Sequence, residues 1–433
     1  MLQTIDWNSL DAAERAAVLE RPAVAADTAI RADAARIVDR VRSDGDKALR
    51  ALTAELDGAS LEEFRVADEE ILAAEAALGT AALAAIDLAI DNVRRFHEAQ
   101  IPTDLRVATM PGVNCERRYH PIDAVGLYVP AGTAPLPSAA VMLAVPATLA
   151  GCPVTVLCTP PRPDGLADPG VVAAAVRAGV REIFKVGGAQ AIAAMAYGTE
   201  SVPKVSKLFG PGNAWVTSAK TLVSADAAGA AIDLPAGPSE VLVIADESAS
   251  AEFVAADLLS QAEHGPDSQV VLLTTSPALA EAVDREVEAQ LETLSRANIA
   301  RKALGHSRSI LVADLAAAAE VSNAYAPEHL IVQTREPRRL LDRLKNAGSV
   351  FLGPWSPESV GDYCSGTNHV LPTYGFARNY SGLGLDQFMR SMTVQELTAG
   401  GLRRLGDAVV TLAGLEGLDA HAAAVTRRLR GAQ

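Results

Sequence analysis

The chain has 433 residues, enough for two or three domains, and 49% hydrophobic against 21% charged residues excludes a disordered chain. Asp and Glu outnumber Lys and Arg by 53 to 38, and the formal charge of -15 argues against nucleic-acid and anionic-membrane binding. With aromatics at only 4%, stacking on exposed bases is not the main business either.

Residues 1–24 show no basic stretch followed by an apolar one, so no secretory signal is predicted, and they read as a helical arm. Helical periodicity over Asp33 to Leu49 and Asp68 to Ala99 predicts amphipathic helices. Thr133 to Pro161 carries no charge, but Pro137, Pro146, Gly151 and Pro153 divide it. A core helix followed by a strand is predicted there, not a membrane span. Short β-branched runs then recur at Ala124–Val129, Val154–Cys158, Glu182–Val186, Val205–Phe209, Val241–Ala245, Val270–Thr274, Ser309–Val312, Leu330–Gln333 and Ser349–Leu352. Ala-rich segments between them give spacings near those of βαβ units, so parallel sheets are predicted. The runs exceed one small sheet, which points to two α/β domains. From about Asn379 no further strand is predicted, and a tail of short helices is broken at Gly400-Gly401 and Gly414. Such a tail, with little core of its own, packs on the main body or on a second subunit. Cys115, Cys152, Cys158 and Cys364 lack CxxC spacing and read as reduced thiols of a cytoplasmic protein.

Five polar clusters sit at strand or helix ends. Lys185 to Gln190 runs from a strand through Gly187-Gly188 into a helix, where bare N–H groups could meet an anion or simply form a tight turn. Gly210-Pro211-Gly212-Asn213 follows the next strand, and neither turn matches the GxGxxG fingerprint. Gln261 and His264, three apart at the end of a helix stopped by Gly265-Pro266, could share a metal; a dipole-favoured histidine is the plainer alternative. Glu328 and His329 follow Pro327 into an apolar strand and suit general-base work, though such a pair is commonly a surface loop. Asp362, in the loop 361–369, is a possible hard metal ligand, and Cys364 a possible soft one or a structural thiol. His97, His120 and His306 read as surface residues, and His421 looks equally plain in its terminal helix. On residues alone, these clusters fit a metal-dependent hydrolase on an α/β scaffold.

Taken together and in order, the clusters resemble the histidinol dehydrogenase family. The matching segments are Gly-Leu-Tyr-Val-Pro at 126–130, Val-Gly-Gly-Ala-Gln-Ala-Ile at 186–192, Phe-Gly-Pro-Gly-Asn at 209–213 and Leu-Pro-Ala-Gly-Pro-Ser-Glu-Val at 234–241. They continue with Leu-Ser-Gln-Ala-Glu-His-Gly-Pro-Asp-Ser-Gln at 259–269, Ala-Pro-Glu-His-Leu at 326–330 and Gly-Asp-Tyr-Cys-Ser-Gly-Thr-Asn-His-Val-Leu-Pro-Thr at 361–373. One departure is Ala131, where the family usually has glycine. The resemblance implies NAD-dependent oxidation of L-histidinol to L-histidine through L-histidinal, in two hydride transfers. It assigns zinc to Gln261, His264, Asp362 and His421, with the metal orienting the substrate. Ser239, His329 and Glu416 join those ligands as substrate contacts, and Tyr128, Gln190 and Asn213 become NAD contacts. Glu328 and His329 become the catalytic pair. The implied architecture is two Rossmann-like parallel-sheet domains, residues 25–127 with 236–380 carrying the metal and 128–235 the NAD contacts. A helical tail, 381–433, crosses to the partner of a homodimer.

Overall fold

The computed structural model describes residues 2–22, 28–131, 134–235 and 237–431. The predicted boundary at 24 and 25, the start of the uncharged stretch at Thr133 and the boundary residue Ala236 lie outside them.

Residues 124–232 build a five-stranded parallel sheet from β4 (Ala124–Tyr128), β5 (Val154–Thr159), β6 (Glu182–Lys185), β7 (Lys207–Phe209) and β8 (Ala231–Ile232), in the order β6-β5-β4-β7-β8. Helices α5 (Pro137–Ala150), α6 (Pro169–Arg177), α7 (Gly188–Tyr197) and α8 (Ala214–Ser224) make the crossovers. Helix α5 is apolar all round because it is buried all round; proline starts it and Gly151, at φ +75°, ends it. A second parallel sheet contains β1 (Gln3–Asp6), β9 (Glu240–Ala245), β10 (Gln269–Thr274), β11 (Arg308–Leu311), β12 (His329–Gln333) and β13 (Ser349–Leu352), ordered β1-β11-β10-β9-β12-β13. Its crossover helices are α9 (Ala251–Ala262), α10 (Pro277–Leu291), α11 (Ala297–Leu304) and α12 (Leu315–Tyr325). Every residue of β9, β10 and β12 is buried, which is why these strands are continuous apolar runs and not alternating ones. With the edge strand β1 left aside, both sheets run 3-2-1-4-5, so each has a topological switch point, between β4 and β7 and between β9 and β12.

The remaining helices depart from the predicted grouping. Helices α2 (Thr28–Leu52), α3 (Asp68–Ala77) and α4 (Thr80–Glu98) pack on α7 and α8, on α6 and on α5 respectively. Residues 28–98 therefore cover the five-stranded sheet and are not part of the 236–380 layer. Their buried stripes, such as Val38, Val41, Leu49 and Leu52, or Ala89, Ile90 and Val93, enter the cores of that sheet. The arm is not wholly helical. Its helix α1 (Ala12–Val18) follows β1, which pairs with the far edge of the six-stranded sheet. The tail carries a strand that the sequence pattern did not predict: β14 (Met389–Leu397) pairs antiparallel with β3 (Val113–Pro121), itself paired with β2 (Leu105–Met110). The helix α13 (Glu358–Tyr363) precedes it, and α14 (Ala399–Leu415) and α15 (Asp419–Gly431) follow. Gly400, Gly401 and Gly414 lie inside α14, and the break falls at Gly417, φ +68°. Helices α14 and α15 pack mainly on each other, and no residue of α15 is buried. Among the described residues, no single helix is long and apolar enough to cross a membrane.

Candidate active site

The two sheets face each other with opposite ends. In the five-stranded sheet, Tyr128, Gln190 and Asn213 all follow the carboxyl ends of β4, β6 and β7, where open α/β sheets place ligands. Gly210, at φ +121°, lets β7 leave so close to the Tyr128 carbonyl that a side chain there would collide with it. In the six-stranded sheet the polar residues cluster instead at the amino ends: Glu240 opens β9 and His329 opens β12. A cavity of about 620 Å³ between these ends is lined by Asn213, Thr217, Ser239, His264 and Pro266, among others. A smaller one of about 230 Å³ is lined by Pro130, Ser239, Glu328, His369 and Thr373.

Glu328 and His329 are 6% and 4% exposed, so the surface-loop alternative fails. Helix α12 ends at Ala326 in the left-handed conformation (φ 55°), and the turn drives Pro327 and Glu328 inward. One neighbouring residue, Glu240, holds both side chains through its backbone. Its N–H donates to Glu328 Oε2 at 3.0 Å, and its carbonyl accepts from His329 Nδ1 at 3.2 Å. That contact fixes the ring and turns its other nitrogen, the buried Nε2, toward Asp362 Oδ1, 3.5 Å away.

Asp362 comes from α13, and four residues earlier on the same face stands Glu358, 1% exposed. His329, Glu358 and Asp362 each bring a ligand atom within 4.8 Å of the others. Gln261, in the last turn of α9, sets its side-chain amide against Glu358 and His329, and the amide orientation that satisfies the surrounding acceptors has its nitrogen donate to Glu358 Oε1 at 2.8 Å. His264 lies just beyond that helix, not within it, and donates Nδ1–H to Ser260 O at 2.9 Å, which frees Nε2 for a ligand. His264 and His369 are close enough to Asp362 to stabilise its charge. Burial works against that charge, but His329 and these two histidines outweigh it and hold the Asp362 carboxyl below its usual range.

Too many carboxylates meet here for one imidazole. Burial first, then the neighbouring acids, push Glu328 and Glu358 up to about 8. Burial would lower His329, yet Glu358, Glu328 and Asp362 overcome it and push the ring up to about 10. A divalent cation would balance this surplus, and the nitrogen and oxygen donors, without a thiolate, suit zinc. The donor set of the site therefore fits a metal. For a dinucleotide, Gln190 Oε1 is a buried acceptor with no partner, while its Nε2 donates to Asp57 Oδ2 at 3.2 Å. Tyr128 Oη accepts from Gly188 N at 3.0 Å, and Asn213 caps α8 through Val216 N. Asn213 lines the larger cavity, and its amide nitrogen has no hydrogen-bond partner among the described residues, so these residues also fit a polar ligand.

Not every predicted site residue gathers here. Glu416, just past the end of α14, and His421, on α15, lie exposed, and neither side chain bonds to the cluster among the described residues. His97 is fully buried, not on the surface: Nδ1 donates to Val93 O, and the ring touches Asn368 beside His369. Three residues of the cluster went unpredicted, namely Glu358, Glu240 and His369. Glu358 had a visible signal in its four-residue spacing from Asp362, and His369 closed the polar segment 361–369 already singled out, though without a role.

The family model for histidinol dehydrogenase matches residues 19–429. Histidinol dehydrogenase of Vibrio cholerae serotype O1 is 56% identical over 432 residues, covering 100% of this chain and 99% of that protein. That of Xanthomonas campestris pv. campestris is 56% identical over 428 residues, 99% of each. The crystal structure of histidinol dehydrogenase from Elizabethkingia anophelis superposes with a TM-score of 0.95 at 44% identity, covering 99% of this chain and 98% of that one. Full-length matches to dehydrogenases set the hydrolase alternative aside. The chain belongs to the histidinol dehydrogenase family and is an oxidoreductase of histidine biosynthesis.

Proposed function

We propose that this enzyme oxidises L-histidinol to L-histidine with NAD, through L-histidinal, using Glu328 and His329 in a cytoplasmic homodimer. The observation that carries this is the buried pair itself: His329 Nδ1 tethered to Glu240, Nε2 unpartnered, and Glu328 lining the cavity between the two sheets. Bound zinc would supply orientation by gripping the substrate, and NAD would accept the hydride of each half-reaction. Gln261, His264 and Asp362 would hold the metal, with His421 as the fourth ligand.

His329 Nε2 takes the hydroxyl proton as hydride leaves the alcohol carbon, which yields the aldehyde. The aldehyde then adds water to become a gem-diol, since only the diol has a second hydride to give. His329 releases its first proton to solvent, Glu328 takes a proton from that water, and His329 Nε2 then takes the diol proton when the second hydride departs. Ser239, at the mouth of both cavities, contacts the substrate, and Tyr128, Gln190 and Asn213 hold NAD. Glu416 and His421 reach a site from the neighbouring subunit, which accounts for a tail that packs mainly on itself. The test is NADH absorbance with metal-replete protein, NAD and L-histidinol. A histidinol-dependent rise is expected, and a flat trace would remove the proposal.

A further inference from the structure

We propose that Arg21, from the N-terminal arm, is a positioning residue for the Glu328–His329 pair and acts through Glu240 and the Ala326 turn. The inference rests on the dehydrogenase function proposed above. Arg21 is sequestered, its side chain 10% exposed, and it binds Glu240 in a two-point fork: Nε to Oε2 at 2.5 Å and Nη2 to Oε1 at 2.8 Å. Glu240 is the residue whose backbone N–H and carbonyl hold Glu328 and His329, and its Oε1 also accepts from Glu328 N at 3.2 Å. The same guanidinium donates to the carbonyls of Tyr325 (2.8 Å) and Ala326 (3.3 Å) and lies over the Tyr325 ring at 4.0 Å. Ala326 is one of only two described non-glycine residues with positive φ; the other, Tyr374, donates its hydroxyl to Pro22 O at 2.6 Å. A non-glycine residue stays in that region only where its surroundings hold it there. Arg21 and Pro22 supply that hold on both. Arg21 and Pro22 thus fasten the strand end, the turn and the 373–374 loop that together shape the catalytic pair, and among the described residues neither bonds to Gln261, His264 or Asp362.

That separation gives the test. Arg21→Met, Arg21→Lys and the double variant Arg21→Met with Glu240→Gln are compared with wild type, with histidinol and histidinal as substrates. Arg21→Met should lower kcat about tenfold or more on both substrates, because small misplacements of reacting groups are costly. KM and zinc content should stay near wild type, and Arg21→Lys should recover part of kcat. Removing the arginine alone leaves a buried carboxylate uncompensated and endangers folding. The double variant removes both charges, so it should fold with near wild-type Tm and still lack kcat, since the Tyr325 and Ala326 carbonyls have lost their donor. Wild-type kcat in the double variant, or a kcat loss that only tracks zinc content, overturns the positioning role. An inactive wild type would instead count against the dehydrogenase function and is told apart by that control.

Discussion

Gly361 stands between Glu358 and Asp362 on α13, and its missing side chain is what lets that helix approach β13. A Cβ at this position would lie 2.5 Å from Phe351 Cε1 and 2.8 Å from Cζ, against an ordinary contact of 3.4 Å or more. Gly361→Ala therefore forces ring and helix apart by about 1 Å, the difference between 3.4 and 2.5 Å. The Phe351 ring also neighbours His329, with centroids 6.1 Å apart, so either the ring shifts beside the base or α13 carries Glu358 and Asp362 outward. Overpacking costs about 1–3 kcal/mol, while alanine in place of glycine within a helix returns about 1 kcal/mol. The net loss of stability is then roughly 0–2 kcal/mol, a fall in Tm of a few degrees at most. Catalysis has no such offset, and a shift of about 1 Å can cost on the order of 100-fold. Calorimetry and steady-state NADH formation on the same preparation separate the two effects. Gly361→Ala with kcat within about twofold of wild type would refute the packing argument, because by that argument the geometry of the site cannot survive the added methyl.

Glu328→Gln should impair histidinal oxidation more than histidinol oxidation, since hydration precedes only the second hydride; equal losses on both substrates would end its special role. Chelation should abolish turnover and zinc restore it. In chelated protein Glu328, Glu358 and His329 have native pKa values above their unfolded ones, so their stabilising contribution is full at low pH and is lost as pH rises toward 8 to 10. Its Tm should fall between about pH 6 and about pH 9, more than that of zinc-loaded protein, and a rise over that range would contradict the assigned shifts. Randomly co-refolded His329→Ala and His421→Ala chains should recover roughly a quarter of wild-type sites if the tail crosses, because half the dimers are mixed and each has one intact site. Activity no higher than the single variants would place His421 in its own chain's site.

The sequence pattern made nine of the eleven described parallel strands legible because the central ones are buried on both faces and read as unbroken apolar runs, as at Val-Leu-Val-Ile in β9, while the short, exposed β1 and β8 were missed. β2 and β14 escaped because most of their residues are exposed, so no buried face patterns them, and β14 finds its partner β3 far away in the chain. No local signal marks such an edge pairing. His97 misled through its charged neighbours: Arg94, Arg95 and Glu98 face outward while His97 continues the buried Val93 stripe. In the site, Glu328 and His329 could be found from the turn that precedes them. The part played by Glu240 could not, since it acts through its main chain and meets Glu328 only after the sheet forms.

The most direct test of the catalytic pair and its two half-reactions is product stoichiometry under limiting L-histidinol. NADH is measured by absorbance, and histidinol, histidinal and histidine by chromatography of the same reaction. Two NADH per histidinol consumed, with histidine as the product, is the predicted result. One NADH per histidinol with histidinal accumulating would contradict a single site in which Glu328 and His329 carry both oxidations.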